Sequence, residues 1–162
     1  MVNLPGTAVT IDELRELGFH RHRLEIVRVS LPGGTGCEWN TLGAVPDAPG
    51  LYAFTVEADE LLHVAYVGLT TNLWMVTKGC MPGVGQSRPA QRYGRHRYAG
   101  ATRQRVNEAV GEQLRAGRTV SHWLRPTAHG ATDAATKLAL ATEESALIAR
   151  WSLQTTGWNR RG

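Results

Sequence analysis

The stretch from Gly50 to Gly68 (GLYAFTVEADELLHVAYVG) decides the fold of this chain. Two runs rich in aromatic and β-branched residues, Leu51 to Val56 and Leu62 to Gly68, flank an acidic segment, and this pattern predicts a β-hairpin. With the turn centred on Asp59, antiparallel register places three cross-strand pairs on one face: Tyr52 with Tyr66, Phe54 with Val64, and Val56 with Leu62. Two phenol rings are therefore predicted to lie side by side.

Helical and strand patterns surround this hairpin. The spacing of apolar residues and the capping and stop signals predict three helices, at Thr10 to Leu17, Ala101 to Ala116 and Asp133 to Trp151. Two further strands are predicted, at Leu24 to Leu31 and Thr119 to Leu124, and the glycine- and proline-rich segment from Pro32 to Pro49 is predicted to be a loop. The expected fold is α/β of the α+β type, in which helices flank a small central antiparallel sheet.

Length and composition indicate one domain. The chain has 162 residues, of which 42% are hydrophobic and 20% charged, within the ordinary globular range. No apolar run approaches a membrane span, and Met1 to Thr10 lacks a signal-peptide pattern, so we expect a soluble cytoplasmic protein without a membrane partner. Cys37 and Cys80 stand alone, which indicates neither a zinc site nor a disulfide framework.

The tripeptides Gly50-Leu51-Tyr52 and Tyr66-Val67-Gly68 resemble the signature of the GIY-YIG endonuclease superfamily. In that family the two tripeptides lie on adjacent strands of a small antiparallel sheet and supply two active-site tyrosines. The resemblance implies that Tyr52 and Tyr66 are catalytic. It also implies that residues 1–162 form a single nuclease domain, in which residues 1–45 are an amino-terminal extension to the core.

The family places an arginine on the helix that follows the second strand. In its repair excision nucleases this arginine follows an Asn-Leu pair; here Asn72-Leu73 is present, but the corresponding position is Val76. The segment Thr77 to Ala90 instead resembles an inserted loop. It leads to an arginine with a histidine four residues later, Arg92 and His96, a spacing similar to that of the type II restriction enzymes in the family.

The resemblance therefore assigns Arg92 and His96 to the active site. Arg88 and Arg95 remain alternatives for the catalytic arginine.

Glu144 can be assigned from helical spacing as well as from the resemblance. The residues Leu140, Leu147, Ile148 and Trp151 fall on one face of the predicted last helix. At roughly 100° per residue, Glu144 lies in the middle of this apolar face and Glu143 lies toward its edge. A carboxylate directed at a core must be paired or bound to metal, so a Glu–Arg pair is the alternative to a metal site. The family's glutamate helix matches Glu144-x-x-Leu147-Ile148 and implies one Mg²⁺ or Mn²⁺ ion at Glu144.

The remaining assignments concern nucleic acid. The family often has an asparagine near the end of the domain that helps to hold the metal-site end of the fold; this position corresponds here to Asn159, for which a solvated terminal residue is the alternative. Sixteen of the eighteen Lys and Arg residues are arginines, and eight of them lie between Arg88 and Arg118, a composition that suits phosphate binding as well as a solvated helix face. The residues assigned to nucleic-acid binding are Arg88, Arg95, Arg97, Arg103, Trp74 and Asn159.

The predicted function is metal-dependent hydrolysis of phosphodiester bonds in DNA, with RNA as the alternative substrate. The resemblance implies that Tyr52 acts as general base or orients the attacking water, that Tyr66 and His96 bind water or phosphate, and that Arg92 neutralises the phosphate. One site cuts one strand, so cleavage of both strands calls for a homodimer or sequential nicking. The competing hypotheses are a catalytically inactive nucleic-acid-binding module of the same fold, and a small basic protein-interaction domain.

Overall fold

A computed structural model of the chain describes residues 3–31, 34–73, 101–127 and 133–159. The described strands are β1 (Thr7–Val9), β2 (His20–Leu31), β3 (Gly34–Thr41), β4 (Gly50–Ala58), β5 (Leu61–Thr70) and β6 (Thr119–Pro126). The described helices are α1 (Ile11–Glu16), α2 (Ala101–Arg115) and α3 (Ala134–Arg150). The chain therefore has the predicted α+β fold, with an antiparallel sheet flanked by helices. No helix in these ranges has the length and apolar character of a membrane span.

The six strands lie in the order β1-β5-β4-β6-β2-β3, and every neighbouring pair is antiparallel. The β4–β5 hairpin and β6 form the middle of the sheet. Strands from the first 45 residues lie on both sides of it, because β1 pairs with β5 while β2 pairs with β6. The amino-terminal extension is thus part of the same sheet as the hairpin.

The hairpin turn consists of Asp59 and Glu60, which both have positive φ, 52° and 65°. A two-residue turn with both central residues in this region matches the right-handed twist of the flanking strands. Ala58 pairs with Leu61 at its base. The hairpin itself is confirmed, whereas the predicted register is wrong.

A β-bulge in β5 changes the face of the sheet on which the following side chains lie. The two-residue turn alone would pair Tyr66 with Ala53, which packs on the opposite face. Instead the register shifts at Ala65, so that Phe54 pairs with Tyr66 and Tyr52 pairs with Gly68. The bulge therefore returns Tyr66 to the face that carries Tyr52, as a diagonal rather than a direct neighbour.

Each face of the sheet has its own apolar core. One core contains the α3 residues Leu140 and Leu147 together with Trp123 and residues of α1 and the hairpin. The other contains Val106 and Val110 of α2, packed against Phe54, Tyr66 and their neighbours. The tyrosines thus lie on the face covered by α2, and α3 covers the opposite face.

The elements outside the hairpin agree with the sequence patterns except for β1, a short strand that was not predicted, and for the segment that contains β3. All three helices are present, and β2 begins four residues earlier than predicted because His20 to Arg23 pair with β6. The prediction of a loop at Pro32 to Pro49 is wrong, since Gly34–Thr41 forms β3 and pairs with β2. The alternation of Thr35, Cys37, Trp39 and Thr41 is the strand signal that the glycine content of this segment obscures.

Candidate functional site

Tyr52 and Tyr66 lie close together on one face of the hairpin. Their ring centroids are 5.9 Å apart, with the ring planes inclined by 41°. Tyr52 is half-buried, and Tyr66 is 9% exposed. The two phenols are therefore neighbours, although they are not directly paired across the strands.

Phe54 and His122 complete a cluster of four rings on this face. His122 lies on β6 opposite Phe54, and the two rings stack with centroids 4.3 Å apart. The His122 ring also meets Tyr52 edge-on at 5.3 Å. No local pattern in the sequence points to His122, because its position beside Tyr52 depends on the pairing of β4 with β6, two strands far apart in the chain.

Gly68 leaves room for the phenol of Tyr52. A Cβ atom at position 68 would lie 2.5 Å from Cζ of Tyr52 and 2.6 Å from its Oη. The hydroxyl end of Tyr52 therefore stands directly over Gly68. This close approach is a physical reason for glycine at the end of the second tripeptide.

Glu144 is a half-buried carboxylate on the inner side of α3. Burial raises its pKa, while a hydrogen bond from the backbone N–H of Leu69 acts in the opposite direction. Within the described ranges no cationic side chain forms an ion pair with Glu144. Its neighbour Glu143 is exposed and pairs with Arg125. The predicted contrast between the two glutamates in burial is thus observed, and the predicted alternative of a Glu–Arg pair at Glu144 is not seen in the described part.

Asn159 pairs with the outer edge of β5. Its Oδ1 accepts from the Val67 N–H at 2.9 Å, and its Nδ2 donates to the Val67 carbonyl at 2.6 Å. The Trp158 N–H donates to the Ala65 carbonyl at 2.7 Å on the same edge. The asparagine amide thus continues the edge pairing beyond Thr7, the first residue of β1, which pairs with Val64.

The contacts of Glu144 and Asn159 lie two residues apart on β5. Backbone groups two residues apart on a strand point to the same side, so Leu69 and Val67 present their N–H groups to the same edge. Glu144 reaches this edge from α3, on the opposite face from the tyrosines. Tyr52, Glu144 and Asn159 therefore all contact the segment Tyr66 to Leu69, with the tyrosines on one face of the sheet and Glu144 approaching the edge from the other face.

The other assigned residues cannot be placed at this site. Arg88, Arg92, Arg95, His96, Arg97 and Trp74 lie outside the described residues, as does the inserted segment from Thr77 to Ala90. Arg103 belongs to α2, but its side chain is not described.

Arg105, which the sequence did not assign to the site, contacts the residue next to Asn159. Nη2 of Arg105, on α2, donates to the Trp158 carbonyl at 3.1 Å. It therefore links the helix over the tyrosine face to the segment that carries Asn159. In the sequence, Arg105 is marked only by its place in the arginine-rich stretch. Its contact joins residues 53 positions apart, which a local pattern does not reveal.

The donor set at Glu144 is compatible with a hard divalent cation. A carboxylate oxygen is a preferred ligand of Mg²⁺, which retains several waters and needs only one or two protein carboxylates. Glu144 is buried enough to have a raised pKa and has no described cation to compensate it. No group of three or more His, Cys, Asp or Glu side chains suited to a metal occurs among the described residues.

Comparison of the chain with family models, with curated proteins and with solved structures yields no match in any of the three.

Proposed function

We propose that this chain is a metal-dependent endonuclease that hydrolyses phosphodiester bonds in DNA through a GIY-YIG-type site. One observation carries the proposal. The Tyr52 hydroxyl stands over Gly68, and the Glu144 carboxyl accepts a hydrogen bond from Leu69, the next residue of β5. A phenol and a carboxylate that has no ion pair among the described residues, 92 positions apart in the sequence, thus contact consecutive residues of one strand.

Tyr52 is the group that handles the attacking water in this proposal. Its hydroxyl is held at a defined position over Gly68, where it orients a water or accepts its proton. Tyr66, with its ring 5.9 Å away, provides a second hydroxyl for the water or the phosphate. A free tyrosine titrates near pH ~10, so the site has to lower that pKa or pass the proton onward.

Glu144 is the residue that would hold a single Mg²⁺ or Mn²⁺ ion. When bound, the ion supplies Lewis-acid stabilisation of the charge that develops on the phosphate and the leaving oxygen. The role of the protein is to present a carboxylate that no described cation neutralises. In this proposal Arg92 neutralises the negative charge of the phosphate and His96 hydrogen-bonds the water or the phosphate. Arg88 and Arg95 are the alternatives to Arg92.

DNA is the proposed partner, in the cytoplasm. Support comes from the net charge of +4 and from the excess of arginines, whose planar donors suit phosphate oxygens. Cutting both strands would use two copies of this single site, so a homodimer belongs to the proposal.

One observation favours the inactive binding module as a second candidate. Tyr66 is only 9% exposed and packs in the core with Val106 and Val110, as a purely structural tyrosine would. A module of this kind would bind nucleic acid without cutting it.

DNA cleavage tests the proposal directly. Purified wild type, Glu144→Gln and Glu143→Gln are incubated with supercoiled and linear DNA in Mg²⁺, in Mn²⁺ and in chelator. We expect metal-dependent nicking by wild type and by Glu143→Gln, and about 100-fold or greater loss in Glu144→Gln, the size of effect seen when one transition-state contact is removed.

Three outcomes separate the hypotheses. Metal-dependent cutting that needs Glu144 supports the nuclease. Tight DNA binding by wild type without cutting favours the module. Neither binding nor cutting favours the protein-interaction domain.

A further inference from the structure

His122 is a fully buried histidine to which the proposed function has so far assigned no role. It lies on β6, where its ring stacks on Phe54 with centroids 4.3 Å apart and planes inclined by only 15°. The same ring meets Tyr52 edge-on, at 5.3 Å and an angle of 85°. The imidazole of His122 is therefore one of the groups that pack against the ring of Tyr52.

A buried hydrogen bond fixes the rotation of this imidazole. Nδ1 of His122 lies 3.2 Å from Oγ1 of Thr41, and neither residue is exposed to solvent. Thr41 is the last residue of β3, so the bond joins the amino-terminal extension to the strand beside the hairpin. A phenylalanine ring at position 122 would fill a similar volume, but it could not form this hydrogen bond with Thr41.

Tyr52 is thus enclosed by groups whose own positions are set. Phe54 meets its ring edge-on at 6.0 Å, Tyr66 lies 5.9 Å away, and Gly68 receives its hydroxyl end. The ring of His122 is held in turn by its hydrogen bond to Thr41 of β3. A shift of the imidazole would therefore move the Tyr52 ring and its hydroxyl.

We infer that His122 and Thr41 are positioning residues for Tyr52, which hold the phenol ring so that its hydroxyl stands over Gly68. Burying an imidazole costs desolvation free energy that a phenylalanine would not, which is consistent with a demand for orientation beyond packing. The inference rests on the proposed function for its catalytic meaning, although the positioning itself is a structural property.

Thr41 provides the cleanest test, because valine has its shape without the hydroxyl and serine keeps the hydroxyl. Wild type, Thr41→Val, Thr41→Ser and His122→Phe are compared, with His20→Gln as a control for loss of an exposed histidine on the neighbouring strand β2. Cleavage of a defined DNA in Mg²⁺ provides kcat and KM. A second readout is the ¹⁹F spectrum of the protein labelled with 3-fluorotyrosine. The chain has four tyrosines, and the signal of Tyr52 is identified by its loss in Tyr52→Phe.

We expect Thr41→Val and His122→Phe to lower kcat about 10- to 100-fold with little change in KM, because a small misplacement of a catalytic group has effects of this size. The Tyr52 signal should shift or broaden more than that of Tyr66. Thr41→Ser should keep both readouts at their wild-type values, and His20→Gln should change neither.

The two readouts separate this inference from the nuclease proposal. Folded Thr41→Val and His122→Phe with an unchanged Tyr52 signal and unchanged kcat would overturn the inference and leave the nuclease intact. If wild type does not cut DNA, the nuclease proposal fails, and the ¹⁹F spectra alone decide the positioning. If one variant does not fold, the other still decides the outcome.

Discussion

Tyr52 and Gly68 face each other across β4 and β5, and the hydroxyl end of the tyrosine occupies the space that a side chain at position 68 would need. The first tripeptide ends in this tyrosine and the second ends in this glycine. The two tripeptides are therefore complementary in shape, because Gly68 leaves the space that the hydroxyl end of Tyr52 fills.

Gly68→Ala tests this complementarity. The added methyl group would overlap Cζ and Oη of Tyr52, so we expect a loss of about 1–3 kcal/mol in the free energy of unfolding, as in other overpacked sites. Cleavage should fall about 100-fold, because the hydroxyl is displaced. The measurements are thermal unfolding and nicking rate.

A double-mutant cycle provides the control. In a Tyr52→Leu background, Gly68→Ala should cost much less stability, because the shorter side chain leaves room for the methyl group. Equal costs in both backgrounds would show that the clash is not with Tyr52.

The raised pKa of Glu144 predicts a pH-dependent difference between wild type and Glu144→Gln. Because burial raises this pKa in the folded state, the contribution of the group to stability is fully present below the ordinary glutamate pKa of about 4.3. That contribution is lost as pH rises through the raised value.

We therefore expect Glu144→Gln and wild type to be similar in thermal stability at acidic pH, and the glutamine variant to be more stable at neutral pH. Glu143→Gln removes only an exposed pair with Arg125 and should change the melting temperature little. A constant difference between Glu144→Gln and wild type across pH 3.5 to 7.5, about the range around the free carboxyl pKa, would contradict the burial argument.

Metal binding at Glu144 predicts a thermal shift that does not depend on DNA. A ligand that binds only the folded state at 100 times its Kd stabilises it by about 2.7 kcal/mol. Titration of Mg²⁺ or Mn²⁺ should raise the melting temperature of wild type and of Glu143→Gln, and chelator should reverse the shift. An equal shift in Glu144→Gln would place the ion elsewhere.

Asn159 should stabilise the edge of β5 next to the site. Asn159→Ala removes two hydrogen bonds to Val67, each worth about 0.5–1.5 kcal/mol, so we expect a measurable loss of stability. The Val67 amide should exchange with solvent faster, while the Phe54 amide in the neighbouring strand serves as an internal reference. Unchanged exchange at Val67 would argue against this pairing in solution.

Asp133 should stabilise the start of α3, the helix that carries Glu144. The Thr136 backbone N–H, which donates to Oδ1 of Asp133 at 2.7 Å, and the Thr136 side chain lower the pKa of this carboxyl. A lowered pKa means that the stabilisation is present above the ordinary aspartate pKa of about 3.9 and is lost as pH falls through the lowered value.

The stability advantage of wild type over Asp133→Ala should therefore be present at neutral pH and shrink in acid. Asp133→Asn keeps an acceptor without a titrating charge and should retain the cap over the whole range. Thermal unfolding between neutral and acidic pH provides the comparison, and an advantage that persists in strong acid would rule out the charge as its source.

Patterns within short segments were enough to predict the hairpin and the helices. Alternating aromatic and β-branched residues around Asp59 predicted two strands, and helical spacing on α3 predicted that Glu144 is more buried than Glu143. These features depend on side chains within a few positions of each other, because strand alternation and helical periodicity repeat over two to four residues. The sequence by itself therefore determined the fold class and the inner face of α3.

The tertiary structure alone decided which groups meet. The bulge at Ala65 brought Tyr66 back to the face of Tyr52, and the pairing of β4 with β6 placed His122 beside it. The edge of β5 likewise received Asn159 from the end of the chain. Each of these contacts depends on register between strands or segments far apart in sequence, and a shift of one residue reverses every facing. Local periodicity carries no information on such a shift, which the packing of the whole sheet selects.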